Sequence, residues 1–313
     1  MVLTSFSFFD SFSKGVFRGK KNLGPVIDFL CLLVLFLFSM LVLSRVEFFF
    51  DFPTYEGYIN GFTFFERFDR EPLSAVLMYF AAKGELGAEG YYYITWYMVF
   101  IPIVWALYKK HHRAWFVLSL FVFFNPVMLI VFQTPRQFVA VGFFLLSILF
   151  SGWIRIFSLI CILLAHTVSG LFVCGLFFVY QLQRNLYPLL FGLLLIAYYL
   201  FLQGYYDFYI DSHDRGVGRL FYTILIFAIF SFLTFLKKGK EKEFIVNMFF
   251  FVVAAFILSP FGSRLFIFFI LLAILYLFTS LHKFDSKLIL SFSSLSSASF
   301  SLFFIYHDMY GYG

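Results

Sequence analysis

The chain has 313 residues, of which 62% are hydrophobic and 54 are phenylalanine, whereas only 13% are charged. Its mean hydropathy of +0.92 exceeds what the core of a water-soluble protein of this size can use. These values exclude a soluble protein and predict an all-α polytopic integral membrane protein. The formal net charge of +6 does not indicate nucleic-acid binding, because lysine and arginine collect in the cytoplasmic loops of membrane proteins.

The N-terminal segment 1–25 is basic, with Lys14, Arg18, Lys20 and Lys21, and we expect it to be cytoplasmic. The apolar run that follows is long enough for a full span. Its end, SMLVLSRVE, lacks the small-residue pattern of a signal-peptide cleavage site. We therefore interpret the run as the first transmembrane helix.

Apolar runs continue to residue 305, interrupted only by short polar clusters. This pattern predicts a single transmembrane domain, 26–305, with about 10–12 helices. The predicted spans are 26–44, 91–108, 114–133, 136–151, 154–165, 168–182, 186–202, 219–236, 244–259, 264–281 and 288–305.

Charge decides whether residues 154–182 form one helix or two. With the N-terminus inside, a single helix would place the cluster KKGKEK at 237–242 outside, against the positive-inside rule. Two short helices that meet near His166 return this cluster to the cytoplasm. We therefore predict two helices with His166 at an extracytoplasmic turn.

On this topology, loops 45–90 and 203–218 and the tail 306–313 are extracytoplasmic. The cytoplasmic connections are short and basic and contain no phosphate-binding glycine motif, so we expect the functional residues in the outer loops. The apolar patch 72–82 is too short to span a membrane. It predicts an amphipathic helix that lies on the membrane or dips into the protein.

Four arginines fall at the outer ends of predicted spans. Arg136 follows Pro135 at a helix start, Arg264 follows a Pro and Gly break, and Arg215 and Arg219 flank the start of another span. Arginine near a helix end often only reaches to lipid headgroups. A guanidinium beside the free N–H groups of a helix start, however, favours phosphate. Four such positions on one side predict an anion pocket.

The first outer loop supplies carboxylates among aromatic rings. The sequence DFPTYEGY brings Asp51 and Glu56 close to Tyr55 and Tyr58, and Glu71 follows in the same loop. Carboxylates that bind or deprotonate hydroxyls, combined with rings that stack on sugar faces, are typical of carbohydrate sites. The alternative interpretation is a solvated acidic loop.

His166 is either a core histidine bound to a carbonyl, a donor to a phosphate oxygen, or a general base near neutral pH. No motif predicts a metal site. Three other histidines, His111, His112 and His282, are expected in the cytoplasm, away from the outer loops. The cysteines Cys31, Cys161 and Cys174 lie in apolar runs without CxxC spacing.

Five segments together resemble the EpsG and Wzy family of polysaccharide repeat-unit polymerases. They are DFPTYEGY, EPLSAVLMYF, TPRQFVAVGFFLLSI, LLAHTVSGLF and SPFGSRLFIFFILLAILYL, in the order that the family has them. The family usually has asparagine at the start of its Arg-Gln motif, where this chain has Gln133.

The resemblance implies a GT-C-like, metal-independent glycosyltransferase that needs no cofactor, in the cytoplasmic (inner) membrane of a bacterium. Such an enzyme transfers a growing glycan from undecaprenyl diphosphate to a sugar hydroxyl of the incoming lipid-linked repeat unit, at the outer face of the membrane. The expected partners are undecaprenyl-diphosphate-linked oligosaccharides, membrane lipids and a chain-length regulator protein.

Each candidate residue then has an expected role. The predicted diphosphate-binding residues are Arg136, Arg219 and Arg264, with Arg215 next and Gln137 orienting a phosphate or sugar oxygen. The general base is predicted to be Glu56 or His166, followed by Asp51 and Glu71. The predicted sugar-binding rings are Tyr55 and Tyr58.

Two alternatives stay open at this stage. A flippase or transporter for the same lipid-linked sugar also needs a cationic cavity, but its charges should be spread over both leaflets with repeat symmetry, which this sequence lacks. Another outer-face transferase, such as an O-antigen ligase or an O-acyltransferase, shares part of the Arg and His pattern.

Overall fold

The computed structural model describes residues 25–49, 51–61, 68, 71–111, 115–124, 126–182, 184–205, 239–258, 265 and 268–269. The described residues contain helices and turns but no β-strand. The α-helices are α1 (Pro25–Leu43), α2 (Phe52–Asn60), α3 (Pro72–Lys83), α4 (Gly87–His111), α5 (Trp115–Phe123), α6 (Pro126–Phe132), α7 (Pro135–Leu149), α8 (Trp153–Ala165), α9 (Thr167–Gln181), α10 (Tyr187–Tyr205) and α11 (Lys240–Leu258). Two short 3₁₀ helices cover Val46–Phe48 and Arg184–Leu186.

Two helices of the described part are long and apolar enough to cross a membrane. These are Val26–Leu43 in α1, with a mean hydropathy of 2.9, and Gly87–Lys109 in α4, with a mean hydropathy of 1.2. Helices α7, α8, α9 and α10 contain shorter apolar stretches. Large apolar side chains such as Val26, Phe29 and Trp105 point outward, which suits a lipid-facing surface. This all-helical composition fits the predicted membrane protein.

Two details of the predicted helix pattern are confirmed. The chain breaks at His166 between α8 and α9, so residues 154–182 form two helices. The patch 72–82 forms α3, whose Ser74, Leu77 and Met78 are buried inside the protein. Helix α3 therefore dips into the protein, which is one of the two predicted alternatives.

Several predicted spans have different bounds, among them 244–259, whose helix α11 begins at Lys240, four residues earlier. Residues 114–133, predicted as one span, form α5 and α6, because Pro126 begins a new helix and a proline disfavours helical geometry in the residue before it. Helix α4 begins at Gly87, four residues before the predicted 91.

The predicted spans 219–236 and 288–305, most of 264–281, the segment 1–24 and the tail 306–313 lie outside the described residues. In loop 203–218, α10 continues to Tyr205, and the rest of the loop is likewise outside them.

The described residues fall into two compact units, and the division lies within α9 after Leu171. The first unit contains α1 to α8. Helices α4 and α7 pack together at its centre, where Trp96 stacks on Phe138 with ring centroids 5.4 Å apart and an interplanar angle of 2°. The indole N–H of Trp96 donates to the Ser39 hydroxyl of α1, so the one polar atom of this buried ring is satisfied.

The second unit is built from the rest of α9 together with α10 and α11. Phe172 stacks on Phe251 of α11 with centroids 5.3 Å apart. The ring of Phe244 meets Tyr180, Tyr187 and Phe191 at 5.1 to 5.6 Å. Aromatic side chains therefore supply the contact between these helices.

A buried arginine joins α7 to α8. The Nε of Arg155, a residue only 2% exposed, donates to the carbonyls of Ser147 at 2.9 Å and Phe150 at 3.1 Å. These carbonyls end α7 and lack partners within the helix, and a cation at a helix C-terminus is favourable. Arg155 thus fixes the turn that leads from α7 into α8.

The close approach of α4 and α7 gives a first prediction. A Cβ at Gly142 would lie 2.3 Å and 2.6 Å from the two Cγ atoms of Val99, and valine has few rotamers with which to avoid it. We expect Gly142→Ala to lower the free energy of unfolding by about 1–3 kcal/mol, measured by thermal unfolding in detergent. The double variant with Val99→Ala should recover most of this loss.

Gly192→Ala is the matched control, because nothing lies within 4 Å of a Cβ at this position of α10. It should leave stability unchanged or raise it by up to about 1 kcal/mol through helix propensity. Equal stability of the Gly142 and Gly192 variants would contradict the observed packing of α4 on α7.

Candidate functional site

Arg136 lies in the first turn of α7, and the local sequence explains why the helix begins there. Thr134 is the N-cap residue and Pro135 occupies the first helical position, where its missing N–H costs nothing and its fixed φ favours the helix. The carbonyl of Thr134 accepts the N–H of Phe138 at 3.0 Å. The hydroxyl of Tyr92 donates to the Gln133 carbonyl at 2.9 Å, which fixes the chain just before the cap.

The Arg136 guanidinium is held from two directions. Its Nη1 forms an ion pair with Glu71 at 2.5 Å, and its Nε donates to the Tyr55 hydroxyl at 3.2 Å. The side chains of Arg136 and Glu71 are 27% and 18% exposed. A guanidinium has five N–H donors, and within the described residues the others have no acceptor. Arg136 is therefore oriented by its partners, and its side chain is still 27% exposed.

Glu71 reaches Arg136 because it precedes a proline. Pro72 begins α3 and disfavours helical geometry at Glu71, whose φ of −141° and ψ of 70° are not helical. The Glu71 side chain makes no capping hydrogen bond to α3. Instead, it binds Arg136 of α7, which lies 65 residues further along the sequence.

Tyr55 lies on the buried face of α2, which begins with Phe52 and Pro53. Its ring packs against Tyr91 at 5.5 Å and Tyr92 at 5.8 Å, and the residue is 2% exposed. Burial raises the pKa of the Tyr55 phenol, although Arg136 opposes this shift. The hydroxyl therefore stays neutral at physiological pH and accepts the Arg136 N–H.

His166 occupies the break between α8 and α9. Its φ of −155° and ψ of 96° are extended, and its N–H donates to the Ile162 carbonyl at 2.9 Å. Its ring Nδ1 accepts the backbone N–H of Ser169 at 3.3 Å. Just past the break, a Cβ at Gly170 would lie 2.5 Å from the Leu163 Cα, so only glycine allows α9 to begin this close to α8.

The first turn of α3 contacts both the arginine and the histidine segments. Glu71 binds Arg136, and three residues later the buried Ser74 hydroxyl donates to the Ala165 carbonyl at 2.9 Å. Ala165 directly precedes His166. The structure therefore links the Arg136 and His166 segments through one short stretch of chain.

The other predicted site residues are distributed around this cluster. Glu56 is exposed on α2, and Asp51 is half-buried at its N-terminus. Tyr58 is half-buried and packs edge-on against Tyr55 with centroids 6.1 Å apart. Gln137 is 4% exposed and its Oε1 lies 3.4 Å from the Thr134 hydroxyl. Arg215, Arg219 and Arg264 lie outside the described residues.

Two residues of the cluster were not predicted from the sequence. Ser74 lies within EPLSAVLMYF, but nothing in that pattern indicates a bond to a carbonyl 91 residues away. Tyr91 is fully buried beside Tyr55, and no hydrogen-bond partner is present for its hydroxyl in the described part of the chain. The tyrosine run at 91–93 gave no signal, because tyrosine is common near the ends of transmembrane helices.

No group of three or more His, Cys, Asp or Glu side chains in the described regions could hold a metal ion. The predicted metal independence stays a prediction. The chemistry that the described cluster can perform is hydrogen bonding and charge pairing with an anion through Arg136, and hydrogen bonding through His166.

The ion pair gives a second prediction. Glu71→Gln removes the charge that offsets the partly buried Arg136, so we expect the free energy of unfolding to fall by about 1–3 kcal/mol. Glu71→Gln should cost much less in the Arg136→Gln background, because the pair is already absent there. The double-mutant cycle then measures the contribution of the pair alone.

Glu56→Gln is the control for this experiment. It makes the same chemical change on the exposed face of α2 and should alter stability by less than about 0.5 kcal/mol. Equal effects at both positions, or full additivity with Arg136→Gln, would contradict the role of the Glu71–Arg136 pair.

Comparison with known proteins gives one family. No curated protein and no solved structure matches the chain. The sequence model of the EpsG family, a family of Wzy-like polysaccharide polymerases, matches residues 28–313, nearly the whole chain. The matched region contains the complete cluster around Arg136 and His166. The chain therefore belongs to the EpsG family.

Proposed function

We propose that this protein polymerises lipid-linked oligosaccharide repeat units at the outer face of a bacterial cytoplasmic membrane, with its N-terminus in the cytoplasm. The donor is a glycan on undecaprenyl diphosphate, and the acceptor is a sugar hydroxyl of the incoming unit. Membership of the EpsG family supports a polysaccharide polymerase. The residues around Arg136 support a lipid diphosphate as the leaving group.

The observation that carries this proposal is the fixed orientation of Arg136. Glu71 and Tyr55 hold one edge of its guanidinium, and the rest stays partly exposed. The planar guanidinium binds phosphate oxygens in pairs. Because its partners already hold it in place, it can stabilise the charge of a leaving diphosphate with little reorganisation.

The start of α7 adds to the same anion site. The first N–H groups of a helix have no partner within it and carry the positive end of the helix dipole. Pro135 contributes no N–H, so the first backbone N–H groups of this turn belong to Arg136 and Gln137. In the proposal, a phosphate oxygen binds at this turn. Arg219 and Arg264, which the sequence predicts as further diphosphate-binding residues, lie outside the described residues.

The acceptor sugar hydroxyl needs a base. Glu71 is already bound to the Arg136 guanidinium, so its carboxylate is engaged in the ion pair. Glu56 is exposed and Asp51 half-buried on the same helix that carries Tyr55, so we favour these two carboxylates. Tyr58 is partly exposed whereas Tyr55 is buried, so Tyr58 is the better ring for stacking on a sugar.

The reaction is a substitution at the anomeric carbon of the donor glycan. The bond from this carbon to the diphosphate oxygen breaks, and the electron pair leaves with undecaprenyl diphosphate. The acceptor oxygen forms the new glycosidic bond, and its proton passes to the carboxylate. No metal or cofactor is required in this scheme, and a chain-length regulator would act on the product length.

Reconstitution tests the proposal. Purified protein in liposomes should convert undecaprenyl-diphosphate-linked repeat units into dimers and longer chains and release undecaprenyl diphosphate, and a metal chelator should not stop it. Movement of the substrate between leaflets without any longer product would contradict the polymerase and identify a transporter.

Arg136→Lys gives a third prediction in the same assay. Lysine keeps the charge but cannot form paired contacts with phosphate, so we expect the rate of chain growth to fall roughly 100-fold, as for loss of one oxyanion donor. The matched control is Arg45→Lys, which changes an arginine outside the cluster and should leave the rate unchanged. A wild-type rate in Arg136→Lys would exclude paired phosphate recognition at this position.

A further inference from the structure

The hydroxyl of Tyr91 is buried without a hydrogen-bond partner in the part of the chain that the structure describes. Nearly all buried polar side chains are paired, so an exception needs an explanation. The next residue shows that α4 can satisfy a buried phenol, because the Tyr92 hydroxyl donates to the Gln133 carbonyl at 2.9 Å. Phenylalanine in place of Tyr91 would avoid the cost of the unpaired hydroxyl. The unpaired hydroxyl therefore points to a function.

Tyr91 lies against the ion pair of Arg136 and Glu71. Its ring packs on that of Tyr55 with centroids 5.5 Å apart, and the Tyr55 hydroxyl accepts the Nε N–H of Arg136. The Tyr91 phenol interacts electrostatically with both Arg136 and Glu71, and the Ser74 hydroxyl is a further neighbour. The unpaired donor therefore lies where α3, α4 and α7 meet.

Two neighbours of Tyr91 can accept its proton, and both belong to the start of α3. The Ser74 hydroxyl donates its own proton to the Ala165 carbonyl, so it can only accept from Tyr91. Glu71 is the stronger acceptor, because a hydrogen bond to a carboxylate is roughly twice as strong as one between neutral groups. Arg136 binds one of its two oxygens, Oε2. The other oxygen, Oε1, is the acceptor that suits Tyr91.

Substrate binding changes what this carboxylate needs. The side chains of Glu71 and Arg136 are 18% and 27% exposed, so water reaches the pair in the free protein. A diphosphate bound to Arg136 would cover this surface and bring further negative charge close to Glu71. A carboxylate that loses water must gain another donor, because a buried charge without hydrogen bonds is costly. Tyr91 can supply that donor from within the protein.

We propose that Tyr91 is a positioning residue whose hydroxyl binds Oε1 of Glu71 when a lipid diphosphate occupies Arg136. The inference rests on the proposed function, which supplies the ligand. Nη1 of Arg136 keeps its bond to Oε2, so the new bond holds the carboxylate from its other side. Tyr91 then shares the charge of Glu71, and Arg136 interacts more strongly with the phosphate. Tyr91 does not touch the substrate and acts through Glu71 and Arg136.

The stability of the free protein tests whether the hydroxyl is unpaired. Tyr91→Phe removes a buried hydroxyl without a partner, so the melting temperature in detergent should stay the same or rise. Tyr92→Phe is the matched control. It removes the bond to Gln133 and should lower the melting temperature by about 2 °C or more. An equal loss in the two variants would show that Tyr91 is paired in the free protein and would overturn the proposal.

Binding of undecaprenyl diphosphate to the protein in nanodiscs tests the bond to Glu71. Tyr91→Phe should weaken the affinity roughly 10-fold, which corresponds to the loss of one hydrogen bond to a charged group. In the Glu71→Gln background Tyr91→Phe should have little further effect, whereas in the Ser74→Ala background it should keep its effect. A wild-type affinity in Tyr91→Phe, or an effect that disappears with Ser74 and not with Glu71, would overturn the proposal.

The chain-growth assay separates this role from a structural one. The proposed bond forms when the diphosphate binds and persists in the transition state, so Tyr91→Phe should raise KM roughly 10-fold and change kcat less than about threefold. Unchanged KM would contradict the proposal. A wild-type protein that binds no undecaprenyl diphosphate would refute the proposed function and this inference together. Equal binding by wild type and Tyr91→Phe would refute this inference alone.

Discussion

The arrangement of the site depends on the ion pair between Arg136 and Glu71. It joins the first turn of α7 to the residue before α3, two positions that the chain separates by 65 residues. A partly buried guanidinium without a partner would be costly, so the pair also fixes how α3 lies against α7. Since Ser74 of α3 binds the last residue of α8, the position of His166 follows from the same contact.

This constraint explains why the described part of segment 45–90 is folded and is not a solvated acidic loop. Helices α2 and α3 lie within residues 45–90 and place Tyr55 and Glu71 beside the guanidinium. The carboxylates of this loop consequently differ in environment. Glu71 neutralises a cation, whereas Glu56 remains exposed.

The sequence predicted the parts of this structure that depend on hydropathy, charge and proline. The first helix, the break at His166 and the start of α7 after Pro135 follow from local rules. The division of 114–133 at Pro126 was missed, because a long apolar run conceals a break that costs little where neighbouring helices satisfy the backbone. The partners could not be predicted. Arg136 was expected to bind phosphate and Glu71 to be a possible base, but their pairing and the bond from Ser74 arise only from tertiary packing.

The central claim is that the exposed edge of Arg136 binds the diphosphate of the lipid-linked donor. A cryo-electron microscopy structure of the protein in a lipid nanodisc with undecaprenyl diphosphate tests it most directly. The account predicts a phosphate oxygen about 3 Å from Nη2 of Arg136, with Nη1 still bound to Glu71. A diphosphate bound elsewhere, with the Arg136 edge unoccupied, would contradict it.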